Sequence, residues 1–217
     1  MADVAKEVAE NAPVDGSKQR ADLQKTIWRI AEDLRGSVDG WDFKSYVLNM
    51  LFYRFISENL TAFLNAEEEG LDYANLSDED AEVGRDGVVE EKGFFIPPSR
   101  LFENVYQDAK QKESQKKVPN LNETLEQVFK GIESSAVGTE SEGDFKGLFD
   151  DFQVNSNRLG ETVPERNEKL YELIHEIHEL PFGDFGDNAI DVFGDAYEFL
   201  MQMYASQAVS YTHLRAH

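Results

Sequence analysis

The chain has 217 residues, 41% of them apolar, with no cysteine and a formal net charge of −22. This composition allows one large or two small domains with a packed core, and it excludes disulfides, thiolate metal sites and cysteine nucleophiles. No apolar run reaches the ~18–20 residues that a membrane span needs, and the first 16 residues lack the basic-then-apolar order of a secretory signal, so we expect a cytoplasmic protein with no membrane partner.

The negative charge is concentrated in the later part of the chain. Residues 1–60 hold 8 Lys/Arg and 10 Asp/Glu, out of 21 and 43 in the whole sequence. A strongly acidic surface repels a phosphate backbone, so we expect the later part not to be the main nucleic-acid contact and to favour a basic partner. The competing interpretation is that the acidic residues only keep a helical protein soluble.

The first predicted helix follows a flexible lead-in. Residues 1–18 are small, polar and weakly periodic, with Pro13 and Gly16 near their end, which is typical of a frayed terminus. From about residue 20 to 34 the apolar side chains keep to one stripe, and Gly36 follows, so we predict a helix there. We expect this helix to form an antiparallel hairpin with the next one.

Residues 41–64 predict the central helix of the fold. Apolar side chains occur on all its faces, so other helices must surround it. Asp39 or Asp42 could cap its start, with Gly40 as the break before it. Arg54 is the one basic side chain in its apolar middle, and it must extend to water, pair with a carboxylate or face a partner.

The middle of the chain alternates between polar and apolar segments. Residues 67–92 are so acidic that we predict an irregular surface stretch. Residues 94–97 predict a short extended segment, because the following prolines disfavour helix, and Ser99 could cap the next helix. The lysine-rich run 110–117 is either a phosphate contact or a solvated helix end whose lysines complement the helix dipole; the second interpretation is favoured, since no aromatic residues are interleaved.

Three further helices complete the predicted bundle. One spans about 121–134 with Asn120 as its cap, and one begins at the S/T-x-x-E spacing of Thr162 and Glu165, which predicts a capping box, and runs to Leu180. The last spans about 188–205 and has apolar residues at alternating steps of three and four. The sequence therefore predicts an all-α fold, an irregular bundle of about six helices around the central apolar helix, with a short extended segment near 94–97.

An ordered series of sequence blocks resembles a known family. Over roughly residues 20–205 the chain is similar to the N-terminal helical domain of the modification subunit of type I restriction-modification systems. The central block and the last block are the more specific parts. The blocks are LQKTIWRIAEDLRG, WDFKSYVLNMLFYRFISE, FFIPPS, LNETLEQVFKGIE, FKGLFDDFQVNSNRLG and DVFGDAYEFLM.

The resemblance implies a parent enzyme whose catalytic domain lies elsewhere. The family's subunit is an adenine-N6 DNA methyltransferase that uses S-adenosylmethionine, and this chain resembles only its helical domain. We therefore predict a lead-in at 1–18, a helical domain at 19–205 and a tail at 206–217 that does not resemble the family and is appended or out of frame.

The chemistry of methyl transfer is not expected in these residues. That reaction needs an Asn/Asp-Pro-Pro-aromatic step, whereas the one Pro-Pro pair here, Pro97-Pro98, lies between Ile96 and Ser99. His175 and His178 could in principle hold a metal with neighbouring glutamates, but a solvated helix face is the favoured interpretation. We expect these residues to contain no catalytic, cofactor-binding or metal site and to be inactive alone.

The implied role is architectural. By resemblance, the domain closes over double-stranded DNA and helps to sense its methylation state. It does so in a complex with a DNA-specificity subunit, a second modification subunit and the restriction subunit. The near-neutral first 60 residues are the expected side for DNA or subunit contact, through Arg20, Lys25, Arg29, Arg35, Lys44 and Arg54. The alternative function is a free-standing acidic inhibitor that mimics DNA, which the charge of −22 suggests.

Overall fold

A computed structural model of the chain describes residues 21, 24, 25, 40–117, 119–180, 194 and 198, with the side chains of residues 40–44 outside that description. The chain divides into two compact units, one formed by 1–29 with 180–217 and the other by 30–179. In the first unit the described residues 21, 24, 25, 194 and 198 are helical. The rest of the predicted first and last helices, and the predicted boundaries at 18 and 205, lie outside the described residues.

The second unit is helical, and no β-strand occurs in the ranges described. This confirms the predicted all-α class. None of the described helices is long and apolar enough to cross a membrane. Two 3₁₀ turns lie at Tyr73–Asn75 and Pro98–Arg100, and the α-helices in chain order are α1 Gly40–Glu67, α2 Asp78–Val83, α3 Arg85–Lys92, α4 Phe102–Ser114, α5 Leu121–Ser135, α6 Glu142–Phe145 and α7 Val163–His178.

Helix α1 is the buried centre of this unit, as the sequence predicts. The Tyr53 ring has no exposed surface and meets the rings of Phe102 and Phe129 edge-on, with centroids 5.5 and 5.6 Å away. On another side of α1, Phe52 packs on Phe145 at 6.3 Å. Because its partners come from α4, α5 and α6, the helix loses water contact on several faces, and each large side chain so buried contributes about 1.5–3 kcal/mol.

The start of α1 differs from the expectation. Gly40 and Asp42 both lie within the helix, so Gly40 is not a break before it and Asp42 does not occupy the cap position. The other predicted cap, Asp39, lies outside the described residues.

The acidic stretch 67–92 is more ordered than predicted. It contains α2 and α3, and Ser77 caps α2 by accepting a hydrogen bond from the backbone N–H of Asp80. Tyr73, which is 3% exposed, donates its hydroxyl to the Ile96 carbonyl at 2.7 Å, and burial raises its pKa. The prediction of an irregular surface was therefore wrong about local structure, because one buried tyrosine and a side-chain cap stabilise short helices despite their charge.

The segment after α3 enters the interior through a glycine. Gly93 has φ 79°, and a Cβ there would lie 2.1 Å from the Ser141 hydroxyl oxygen, so both the backbone angle and the space require glycine. Phe95 then donates its backbone N–H to Ser135 Oγ at 2.8 Å. No helix forms at 94–97, and Pro97 has extended backbone angles, in agreement with the prediction.

Of the predicted helix caps, Ser99 does not cap a helix in the structure, whereas Thr162 does. Ser99 is not a cap, because α4 starts at Phe102 after Leu101, and the Ser99 hydroxyl instead donates to the Asp78 carboxylate at 2.6 Å. The capping box of Thr162 and Glu165 is confirmed.

Asn120 precedes α5 as predicted, but its side chain does not cap the helix. It donates to Glu123 Oε2 at 2.6 Å instead. The cap comes from α7, where Asn167 Oδ1 accepts the backbone N–H of Asn122 at 2.7 Å. A residue distant in sequence therefore takes the role that the local pattern assigned to Asn120.

Candidate functional site

Arg54 binds the carboxyl end of α7 from within α1. The residue is 9% exposed, and its Nη1 donates to the carbonyl oxygens of Ile177 at 2.5 Å and His178 at 3.0 Å. Its Nε donates to Glu58 Oε1 at 2.6 Å. The guanidinium thus bonds two carbonyls at the end of α7 and places a positive charge at the negative end of the helix dipole.

A second set of contacts joins α7 to α4. The His178 ring stacks on the Tyr106 ring with centroids 4.0 Å apart, and its Nε2 lies 3.1 Å from Glu103 Oε2. The Tyr106 hydroxyl is 2.9 Å from His175 Nδ1. These contacts place the two helices in one register, because each aromatic ring also carries a polar group with a specific partner.

The charges of this network are coupled through Glu58. Burial raises the pKa of Glu58, the neighbouring Glu103 adds to the rise, and Arg54 and His178 oppose it. Burial likewise raises the pKa of Tyr106, and Glu179 and Glu103 contribute. We name Arg54, Glu58, Glu103, Tyr106, His175 and His178 the α1–α4–α7 network. Its chemistry is that of a structural tie rather than of catalysis.

The two histidines of the network pack against side chains of α4. Within the described part of the chain, no group of three or more His, Asp or Glu side chains could hold a metal ion. His175 and His178 are half-buried and contact Tyr106, and His178 also lies beside Glu103 and Glu179. They therefore differ from the predicted solvated helix face, and the expectation that they bind no metal stays a prediction. Pro98 is the first residue of a 3₁₀ turn and Pro97 precedes it. Ser99, which is not aromatic, follows the pair in sequence.

Of the six residues predicted to contact DNA or a subunit, the structure describes the side chains of Lys25 and Arg54. Lys25 is exposed on a helix of the first unit. Arg54 is buried, and of the three outcomes considered for it, pairing with a carboxylate is the one observed. The side chain of Lys44 lies outside the described residues, as do Arg20, Arg29 and Arg35. Contact by any of them with DNA or a subunit stays a prediction.

Sequence reasoning missed most of the network. Glu58, Glu103 and Tyr106 carry no local motif, and they meet His178 only because α1, α4 and α7 pack together. The isolated arginine in an apolar helix was the one usable signal, since a buried cation requires a partner. Its partner carbonyls lie more than 120 residues away in sequence, so no periodicity could identify them.

Comparison with known proteins places the fold in context. Residues 23–177 match the family model described as the HsdM N-terminal domain. The chain is 46% identical over 200 residues to the type I restriction enzyme MpnII methylase subunit of Mycoplasma pneumoniae, a match that covers 88% of this chain and 36% of that protein.

A solved structure of a type I methyltransferase subunit has a similar fold. The crystal structure of the type I restriction-modification system methyltransferase subunit from Streptococcus thermophilus superposes with a TM-score of 0.67 at 26% identity, covering 86% of this chain and 39% of that one. The chain spans just over a third of the length of both relatives.

Proposed function

The chain belongs to the HsdM N-terminal domain family, and from that premise we propose that it helps to assemble a type I restriction-modification complex and to close it around DNA. The observation that carries this proposal is the match over residues 23–177, which includes every helix from α1 to α6 and nearly all of α7. The described unit is thus the helical domain of a type I methyltransferase subunit. Contacts among α1, α4 and α7 hold its described helices together.

The partners in the proposal are the DNA-specificity subunit, a second modification subunit, the restriction subunit and double-stranded DNA. In the assembled complex the helical domain meets its counterpart in the second modification subunit, encloses the duplex and responds to its methylation state. The rigid attachment of α7 to α1 and α4 supports this role, because a domain that closes as one body needs fixed helices.

Catalysis in this proposal belongs to the parent subunit. The reaction is methyl transfer from S-adenosylmethionine to adenine N6 in the DNA target, performed outside these residues in a cytoplasmic complex. The chain alone should show no saturable heat with S-adenosylmethionine in calorimetry and no methylation of adenine in DNA. Specific micromolar binding of the cofactor by the chain alone would contradict this assignment of roles.

Closure around DNA can be measured directly in the intact complex. Glu68 is exposed, and the chain has no cysteine of its own, so Glu68→Cys gives one spin-label position per helical domain once cysteines elsewhere in the subunit are replaced. Double electron–electron resonance should show a shorter distance between the two labels when target duplex is added. The same distance with and without DNA would refute the clamp.

The free-standing acidic inhibitor is the less favoured function. Mimicry of DNA requires carboxylates spaced along one face, whereas the acidic stretch here is divided between two short helices, with Arg85 paired to Glu82 at 2.9 Å. The family match also supports a subunit role. Tight binding of the chain to a restriction complex in competition with DNA would reverse this preference.

A further inference from the structure

Most cations of the described unit are already engaged. Arg54, Arg85, Lys112, Lys130 and Lys169 pair with carboxylates, with nitrogen–oxygen distances of 2.6–2.9 Å. Other basic side chains contact an amide, backbone carbonyls or an aromatic ring. In a chain of net charge −22, such pairing is the expected fate of a positive charge.

At the carboxyl end of α4, three lysines differ from the five cations that pair with carboxylates. Lys110, Lys116 and Lys117 are exposed, and no carboxylate of the described residues lies within ion-pair distance of any of them. Lys110 sits 5.5 Å from the Tyr106 ring centroid, and the Lys117 ammonium donates to the neutral Gln115 side chain at 2.9 Å. We name these three residues the basic cluster.

The backbone at Lys116 strengthens the case for a role beyond the fold. Lys116 has φ 56°, and it ends α4 in a Schellman arrangement. Its own N–H donates to the Glu113 carbonyl at 2.8 Å, and the Lys117 N–H donates to the Lys112 carbonyl at 2.9 Å. Glycine is the favoured residue at such a left-handed position, so a lysine here is less stable than a glycine would be.

Hydrogen bonds to the end of α4 do not account for the cluster. Lysine side chains can bond the last carbonyls of their helix, but here backbone N–H groups bond the Lys112 and Glu113 carbonyls. The Lys117 ammonium bonds a side-chain amide instead. Lys112, which does lie in the last turn, is paired with Asp108 at 2.6 Å.

We propose that the basic cluster at the carboxyl end of α4 binds the phosphate backbone of duplex DNA in the assembled complex. The inference rests on the proposed function and names a contact surface for it. The three lysines lie within eight consecutive residues at one helix end, and duplex DNA carries one charge per ~1.7 Å of its axis, so several phosphates are available to them. Tyr171 lies close enough to Lys110 for their charges to interact, and Glu113 is the nearby unpaired carboxylate that weakens the site.

The test uses the intact complex of modification and specificity subunits with target duplex. Binding is measured at several salt concentrations for Lys110→Gln/Lys116→Gln/Lys117→Gln and for a matched control, Lys146→Gln, which removes one exposed lysine elsewhere. The triple variant should bind about tenfold or more weakly at 0.1 M salt, and its salt slope should fall by about 0.9 per lysine. The control should match the native complex.

A single variant separates charge from folding. Lys116→Gly removes one positive charge but places the favoured residue at φ 56°. The unfolding temperature should not fall, while DNA binding weakens and the salt slope drops by about 0.9. Weaker binding accompanied by a lower unfolding temperature would point to damage of the fold and overturn the assignment.

Two other outcomes would also overturn it. If the triple variant matches Lys146→Gln in affinity and slope, the cluster does not touch DNA. Label distances at Glu68 that still shorten on DNA binding would then leave the clamp intact. Alternatively, the triple variant fails to assemble with the second modification subunit in the absence of DNA, which would make the cluster a protein contact.

Discussion

Replacing Arg54 by methionine tests the α1–α4–α7 network most directly. The change keeps an apolar stem of similar length, so little cavity forms, but it removes the donor to the Ile177 and His178 carbonyls and the partner of Glu58. Breaking a buried ion pair by deleting one partner costs about 3–5 kcal/mol. We expect Arg54→Met to lose that amount, which is a large part of the ~5–15 kcal/mol of a typical domain.

The assay is unfolding of the chain by denaturant and by heat, monitored by circular dichroism. The melting temperature should fall by about 6–20 °C, since 1 kcal/mol shifts the melting temperature of a domain this size by roughly 2–4 °C. Amide exchange of the last turn of α7 should rise as well, because its carbonyls lose their donor. A loss below about 1 kcal/mol would refute the reasoning and make Arg54 an ordinary surface cation.

Glu58→Gln is the matched control. The glutamine oxygen still accepts from Arg54 Nε, so the cost should stay within about 1 kcal/mol. Burial raises the folded pKa of Glu58 above its ordinary value of 4.5, so the stability that protonation of Glu58 adds is present below pH 4.5 and is lost as pH rises through the folded pKa. The difference in unfolding free energy between the two proteins should therefore shift in favour of Glu58→Gln on going from acid to neutral pH.

The remaining predictions concern the core and one helix start. Met50→Ala should lower the free energy of unfolding by about 2–5 kcal/mol because Met50 has no exposed surface. Phe55→Ala should cost less because Phe55 is half-buried, and Glu68→Ala should stay within about 0.5 kcal/mol. Equal small losses at all three positions would contradict a buried α1. Thr162→Ala should cost about 0.5–2 kcal/mol in denaturation. Hydrogen bonds from the backbone N–H groups of Thr162 and then Glu161 lower the pKa of Glu165 below its ordinary value of 4.5. The stability that the ionised Glu165 adds is therefore present above pH 4.5 and is lost as pH falls through the folded pKa. Glu165→Gln should abolish this pH dependence when stability is measured in an acid titration.

The sequence predicts the elements whose cause is local. The circumference of α1 is apolar, and that property alone requires surrounding helices. The capping box needs only the spacing of Thr162 and Glu165, and both of its hydrogen bonds form. Each of these features is determined by residues within one or two helical turns.

Features that depend on tertiary packing escape the same reasoning. The cap of α5 comes from Asn167 rather than Asn120, and Ser99 bonds the distant Asp78 instead of a helix N-terminus. Composition was also a poor guide to the acidic stretch, where Tyr73 reaches the Ile96 carbonyl and anchors the segment. In each case a polar group found a partner through space, which period and propensity do not encode.

The distribution of charge is compatible with the proposed role of so acidic a domain in a DNA-binding complex. Net charge describes the far field, whereas a contact depends on the cations that remain unpaired at the surface. In the described unit Arg54 is buried and bonds Glu58 and the Ile177 carbonyl. Lys110, Lys116 and Lys117 are exposed near the carboxyl end of α4. If the basic cluster binds DNA as proposed, the acidity around it should restrict the orientation in which the domain can approach the duplex.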